Sequence, residues 1–467
     1  MKKKYFAILL SLVMASAALL AACGTPNPDD TDPPDTGDPP VEEPTPKPEP
    51  EQIPLDTEHG IADQSYLYGM CYLMEERNGH WNTALADEAI KTDAELLGNL
   101  GTKTVRHWMH FTALMRDKDT MNEENCAQMH TMLQACSERG IVNIGMNHSN
   151  FNRYGAATGK LKRNMVPNSD YIRWLDDYYT SWYNLVTEFP EVTYWEVDNE
   201  LNNYDFMYNA ADGSHFTPIE MAAVATDILY YATRAIHDAN PEAKSVMGGL
   251  TEPMSLGNSN LEAGRPSNAW FLQAIYDNIA SGEYGYFYST ESDITASLDP
   301  DDYFDILSWH PYVWDTKPLD EDFFVTENAK TYQVVLDNEG KHKKVFLSEV
   351  GFTDYSRGET VVAQSVINLF HAVSERMPYV ETVNLFKMYD VGTAAWSSTP
   401  DGADHYGFFY DPDPSRVYYP IDESRPTQTT SDRCTPGAPK KVAFAFQSLA
   451  GGSGSLELAM ECVAKNA

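Results

Sequence analysis

Val192-Thr193-Tyr194-Trp195-Glu196-Val197-Asp198-Asn199-Glu200 is the stretch on which the fold turns. Val192 to Val197 is a short β-branched and aromatic run, the composition of a strand. It ends in Asn199-Glu200, where loop-like sequence begins. A second run, Val345 to Ser348, also ends at a glutamate, in Leu347-Ser348-Glu349-Val350-Gly351. What these two acids can do depends on the kind of sheet that carries them.

Outward from this stretch, short apolar runs alternate with longer helical patterns. Strands are expected over Tyr66–Cys71, Thr104–Trp108, Ile141–Met146, Val192–Val197, Ser245–Leu250, Phe304–Trp309, Val345–Ser348 and Thr382–Lys387. Helices are expected over Thr83–Leu100, Met121–Arg139, Tyr171–Glu188, Thr217–Ala239, Ala269–Ala280, Thr326–Asp337, Thr360–Arg376 and Lys441–Leu449. Gly101 and Gly140 stand where C-cap glycines belong. Thr217-Pro218-Ile219-Glu220 spells a capping box with proline at the first helical position. Strict βα alternation implies a parallel sheet, and eight units imply closure into an α/β (β/α)8 TIM barrel. An open doubly wound sheet would carry a glycine-rich loop after its first strand, and Tyr68-Gly69-Met70-Cys71-Tyr72 has none.

The ends of the chain read differently. Lys2, Lys3 and Lys4 precede an apolar run to Leu20, then Ala21-Ala22-Cys23. Residues 1–22 are expected to be a signal peptide, and Leu20-Ala21-Ala22-Cys23 resembles a bacterial lipobox, with Cys23 the lipidated residue. Residues 23–55 form an acidic, proline-rich linker with little to bury, expected to be a disordered spacer. A single catalytic domain is expected over 56–467. The 467 residues carry 33 Lys and Arg against 69 Asp and Glu, a net charge of -36. That balance excludes nucleic acid and an anionic membrane surface as partners, so membrane contact is expected only through the lipid on Cys23. Cys71, Cys126, Cys136, Cys434 and Cys462 show no metal-binding spacing and read as buried thiols, with a Cys434–Cys462 link left open. No cofactor or metal is expected, and the oligomeric state is open.

In a barrel of this kind, sites lie at the C-terminal ends of the strands. Glu200 ends strand four and Glu349 ends strand seven, so both fall on that face. Two such carboxylates are what glycosidic hydrolysis needs, one to give a proton and one to attack.

The ordered set resembles a retaining glycoside hydrolase of clan A. In that clan the acid/base follows an Asn at the end of strand four, matching Asn199-Glu200. The nucleophile ends strand seven, often as S/T-E-x-G, matching Ser348-Glu349-Val350-Gly351. Val105-Arg106 is similar to the strand-two Arg near the nucleophile. His310-Pro311-Tyr312 is similar to the clan's His/Tyr pair, whose Tyr bonds the nucleophile. Tyr406-Gly407-Phe408 and Pro439-Lys440-Lys441 resemble the approach to the last helix. The resemblance departs at strand eight, where many members carry Trp and this chain has Phe386-Lys387-Met388-Tyr389, with Trp396 in the next loop as a substitute. Asp413 to Pro439 looks inserted.

The resemblance implies a retaining β-glycosidase acting on a polysaccharide or its oligosaccharides, outside the cytoplasm on a lipid anchor. Glu349 has to be ionised to attack, which Arg106 and Tyr312 favour. Glu200 has to start protonated, so burial and the Glu349 charge are expected to raise its pKa. Asn199 is expected to bond the sugar hydroxyl beside the anomeric carbon. Asn147, His148, Trp108, Trp314 and Trp396 are further substrate-binding candidates. Other readings stand beside these: Arg106 as a structural partner of Glu196, His310 as a core histidine, and the tryptophans as packing. The rival function is a carbohydrate-binding surface lipoprotein, either a two-lobed transport receptor or an inactive barrel.

Overall fold

Eight parallel strands close on themselves in chain order: β1 Tyr68–Tyr72, β2 Thr104–Trp108, β3 Val142–Asn147, β4 Val192–Asn199, β5 Lys244–Thr251, β6 Leu307–His310, β7 Val345–Val350 and β8 Val380–Leu385. Pairings such as Cys71 with Arg106, Met146 with Glu196 and Asn199 with Gly249 set the register, and Tyr68 with Val383 closes the ring. A helix follows each strand: α1 Asp87–Leu100, α2 Glu123–Ser137, α3 Ser169–Glu188, α4 Pro218–Ala239, α5 Asn268–Ser281, α6 Glu321–Glu339, α7 Glu359–Arg376 and α8 Lys441–Ala450. This is a (β/α)8 barrel, as the alternation of runs implies.

The computed structural model describes residues 64–77, 81, 84–147, 169–203, 206, 216–251, 266–282, 297–313, 316–390, 405–412 and 436–457. The described residues all belong to one compact unit, Pro54–Ala467. The expected leader, Cys23 and the linker lie outside the described residues. So do His148, Trp314, Trp396, Cys434 and Cys462. Cys71, Cys126 and Cys136 are free, buried thiols, as expected.

Local chemistry explains where the elements begin and end. Gly101 takes a left-handed φ of 84° and stops α1. Thr217 and Glu220 exchange both capping-box hydrogen bonds at the start of α4. The Asp320 side chain accepts from Phe323 N at 3.1 Å and starts α6 at Glu321, five residues before the expected Thr326. β4 runs two residues further than expected, to Asn199, and β8 leaves the sheet at Leu385 rather than Lys387. A two-stranded hairpin, Met115–Asp117 with Thr120–Met121, went unread because its strands are too short for a period.

The outward strand residues and inward helix faces share one large apolar cluster, including Trp182, Trp195 and Trp309. The barrel interior is built separately. Ile144, Val246, Ile306 and Phe346 form a small plug, with Tyr194 against it. Side chains two residues apart on a strand share a face. Two residues above Tyr194 stands Glu196, above Phe346 stands Ser348, and above Ile306 stand Ser308 and then His310. All five of these interior polar side chains, counting Arg106 on β2, are fully buried. The alternation thus turns an apolar plug into a polar layer one step nearer the strand ends.

Candidate active site

Arg106 organises that polar layer. Its Nε donates to Glu196 Oε2 at 2.6 Å, and its Nη2 donates to Glu196 Oε1 at 3.3 Å and to Asn199 Oδ1 at 2.8 Å. Nη1 donates to Glu349 Oε2 at 2.9 Å. Both readings of Arg106 therefore hold: it pairs with Glu196 and it reaches Glu349. A buried guanidinium is tolerable only with such partners. Burial pushes the Glu196 carboxyl up, but the charges and hydrogen bonds of Arg106 and His310 together outweigh it and hold Glu196 down at about 2.

Glu349 receives a second donor on its other oxygen, Tyr312 OH to Oε1 at 2.7 Å. Both oxygens accept, as those of an ionised carboxylate do. Tyr312 packs edge-on against Tyr406, with ring centroids 5.9 Å apart, and Tyr406 packs on Phe386 at 5.7 Å. This aromatic wall stands where β8 ends. Lys387 beside it pairs with Glu76 at 2.8 Å.

Glu200 sits just past β4 in a strained turn. Asp198 has φ 74° and Glu200 has φ 52°, both in the left-handed region that non-glycine residues avoid. Gly248 makes room for the turn, since a Cβ there would strike the Val197 and Asp198 carbonyls. Glu200 Oε2 accepts from Asn203 Nδ2 at 2.7 Å, and Oε1 lies 3.2 Å from His310 Nδ1. Here the structure corrects the expectation for Glu200. Burial does push its carboxyl up, but His310, Asn203 and Thr251 outweigh burial and the net shift is downward. The burial of His310 pushes its own pKa down, yet the Glu349 charge and the contacts with Glu196 and Glu200 carry it up to about 9.

Donor atoms of Glu200, His310 and Glu349 all lie within 4.8 Å of one another. The two carboxylates thus face each other across the C-terminal mouth. Among the described residues this trio is the acid and histidine group that could converge on a metal ion. It fits one poorly, because both nitrogens of His310 are engaged, Nδ1 by Glu200 and Nε2 by Ser348 at 3.1 Å.

The other candidates are placed unevenly. Asn199 lies beside Glu349's guanidinium partner, its Oδ1 fixed by Arg106 and its Nδ2 without a hydrogen bond among the described residues. Asn147 is fully buried, and its Oδ1 accepts from Phe111 N at 2.9 Å, which ties down the loop after β2. Trp108 is half-buried at the end of β2 and stacks on His110 at 5.3 Å. Sequence reading missed Asn203, Gly249 and the roles of Ser308 and Ser348. The signal for the serines was available: Ser308 precedes His310 by two, on the same face of β6.

No protein-family model matches this chain, and no curated protein matches it. Solved structures do match its fold. A family 39 glycoside hydrolase from the gut symbiont Bacteroides cellulosilyticus WH2 aligns with a TM-score of 0.51 at 13% identity, over 84% of this chain and 64% of that one. This chain therefore spans under two thirds of that enzyme's length. The family 1 β-glucosidase from Thermotoga maritima aligns with a TM-score of 0.53 at 13% identity, over 85% of this chain and 99% of that one. The same β-glucosidase in complex with cyclophellitol aligns with a TM-score of 0.53 at 14% identity. At these identities the likeness is one of fold, and the fold neighbours are glycoside hydrolases.

Proposed function

We propose that the protein is a retaining β-glycosidase that cleaves a polysaccharide or its oligosaccharides, with Glu349 as nucleophile and Glu200 as acid/base. One observation carries this reading: carboxylate oxygens of Glu200 and Glu349 approach within 4.8 Å at the C-terminal mouth of the barrel. Double displacement calls for carboxyls about 5 Å apart, whereas inversion needs room for a water and a clearly wider gap. The unequal partners of the two acids support the division of labour. Glu349 faces a permanent cation and a phenol. Glu200 faces a histidine, a group that exchanges protons.

The chemistry then runs in two steps. Glu349 attacks the anomeric carbon while Glu200 protonates the leaving oxygen. Water, activated by Glu200, then releases the sugar from Glu349. In this reading Asn199, whose Oδ1 is held by Arg106, bonds the neighbouring hydroxyl. The closed barrel is not the two-lobed form of a transport receptor, so the surviving rival is an inactive barrel. Lipidation at Cys23 and an extracytoplasmic location belong to this proposal, and substituting Cys23→Ala should abolish incorporation of labelled palmitate. The test of function is a screen of aryl β-glycosides and polysaccharides with wild type, Glu349→Ala and Glu200→Ala. Activity in the wild type and its loss in both variants is expected. Full activity in either variant overturns the assignment.

A further inference from the structure

Ser348 fixes the direction of the protons around His310. Its Oγ lies 2.8 Å from Glu196 Oε1, which also accepts from Gly249 N at 3.0 Å. Glu196 is an ionised carboxylate bound to Arg106, so it can only accept. The one hydroxyl proton of Ser348 is therefore committed to Glu196. Ser348 Oγ must then accept from His310 Nε2 at 3.1 Å and from Ser308 Oγ at 2.5 Å. His310 thus carries a proton on Nε2. Its other nitrogen, Nδ1, meets Glu200 Oε1 at 3.2 Å. That bond holds one proton, as imidazolium with carboxylate or as imidazole with carboxylic acid.

We propose that this shared proton is the one the leaving oxygen receives, with His310 acting through Glu200 as a positioning residue that holds it between turnovers. The inference rests on Glu200 being the acid/base. At rest the pair carries one proton. When Glu349 bonds to the anomeric carbon and the glycosidic C–O bond breaks, that proton leaves on the alcohol, and a carboxylate faces a neutral imidazole. When water displaces Glu349, the water's proton returns to the pair, so each turnover closes the count.

The surroundings suit the exchange. The charged groups facing the ring are Glu196 and Glu200 from the β4 segment, Glu349 from β7 and Arg106 from β2. Ser348 from β7 and Gly249 from β5 are its neutral neighbours, and Ser308 from β6 reaches Ser348 behind them. A Cβ on Gly249 would strike the His310 ring, so the glycine is what lets the ring sit there. The upward shift of His310 and the downward shift of Glu200 agree with the imidazolium form at rest. The two groups titrate as a pair, and the pair keeps its proton to higher pH than an isolated carboxyl would.

The test compares His310→Asn with wild type on aryl β-glycosides of the sugar that the screen selects. One probe has a 4-methoxyphenyl leaving group, which needs an acid, and the other a 2,4-dinitrophenyl group, which does not. The variant should lose tenfold or more in kcat/KM on the first at pH 8 and under threefold on the second. Its alkaline limb should move down by one pH unit or more. Equal losses on both probes, or an unmoved limb, overturn the proposal. Glu200→Ala is the control. If its loss ignores the leaving group, the assignment of Glu200 as acid/base, on which this inference rests, has failed; if it does not, only the role of His310 is at stake. A measurement free of any variant's folding is ¹⁵N NMR of histidine-labelled wild type. The His310 ring should keep Nε2–H throughout while Nδ1 titrates, and a ring with Nδ1–H at alkaline pH contradicts the proposal.

Discussion

On the β7 side of the cleft, Glu349 meets Arg106 and Tyr312, a cation that never titrates near neutrality and a phenol whose pKa burial pushes far up. On the β4 side, Glu200 meets His310 and Asn203, a ring that can gain and lose a proton and an amide that cannot. The two flanks share one buried base, Glu196, which holds Arg106 on one hand and Ser348 on the other. The difference teaches how a single polar layer can give one carboxylate a permanent cation and a phenol as partners while its neighbour meets a ring that titrates. In the proposed reaction those are the needs of a nucleophile and of an acid/base.

The comparison can be broken from either flank. The largest effect is expected for Glu349→Ala, which should lower turnover by at least ~10⁴-fold in a stopped or continuous aryl glycoside assay, because no group remains to form the covalent bond. Arg106→Met comes next. It leaves Glu196 buried without its cation, and removing one partner of a buried pair costs about 3–5 kcal/mol, read as a fall in chemical-denaturation midpoint. Tyr312→Phe deletes one hydrogen bond to Glu349 and should lower kcat by roughly ten- to a hundredfold with little change in stability.

The smallest expected effect is a pH dependence of stability on the Glu200 side. His310 stands at about 9 in the fold against its ordinary 6.5. A raised value means its stabilising share is complete below pH 6.5 and is lost as pH rises through 9. Glu196, held down at about 2 against 4.5, has its share in place above pH 4.5 and loses it only as pH falls through 2. The thermal midpoint should therefore decline between pH 6.5 and 9, and that decline should flatten in His310→Asn. An unchanged slope in the variant would assign the decline to other groups.

The barrel was legible because its signals are local. Each strand is a short run with glycine, proline or charged residues at its edges, and each helix shows its own apolar period and cap. The pair Glu200 and Glu349 was legible for the same reason, since each ends a strand that can be counted. What sequence could not give was the proton environment. Glu200 and His310 are 110 positions apart, and Ser348 and Glu196 are 152 apart. Their contacts exist only once the barrel closes, so burial and the Glu349 charge were the visible influences on Glu200, and both pointed upward where the net shift is downward. A polar residue at a strand end can serve the cleft or hold a loop, and the hydrogen bond from Phe111 N to Asn147 Oδ1 likewise forms only on folding.

Beyond the cleft, the same logic locks the C-terminal segment. Lys440, at the start of α8, is buried between Asp354 at 2.9 Å and Asp390 at 2.6 Å. Asp390 also accepts from Gly407 N at 2.8 Å. The Pro439-Lys440-Lys441 motif therefore fastens the stretch carrying Tyr406, and with it the aromatic wall beside Tyr312.

The central claim is that Glu200 and Glu349 divide the acid and nucleophile roles. It is tested most directly by the anomeric form of the glycosyl azide that each alanine variant makes from a 2,4-dinitrophenyl β-glycoside in sodium azide. Glu200→Ala should give the β-azide, because azide attacks the sugar held on Glu349. Glu349→Ala should give the α-azide, because azide enters from the vacated nucleophile side. The opposite pairing, or no azide product from either variant of an active wild type, would contradict the assignment.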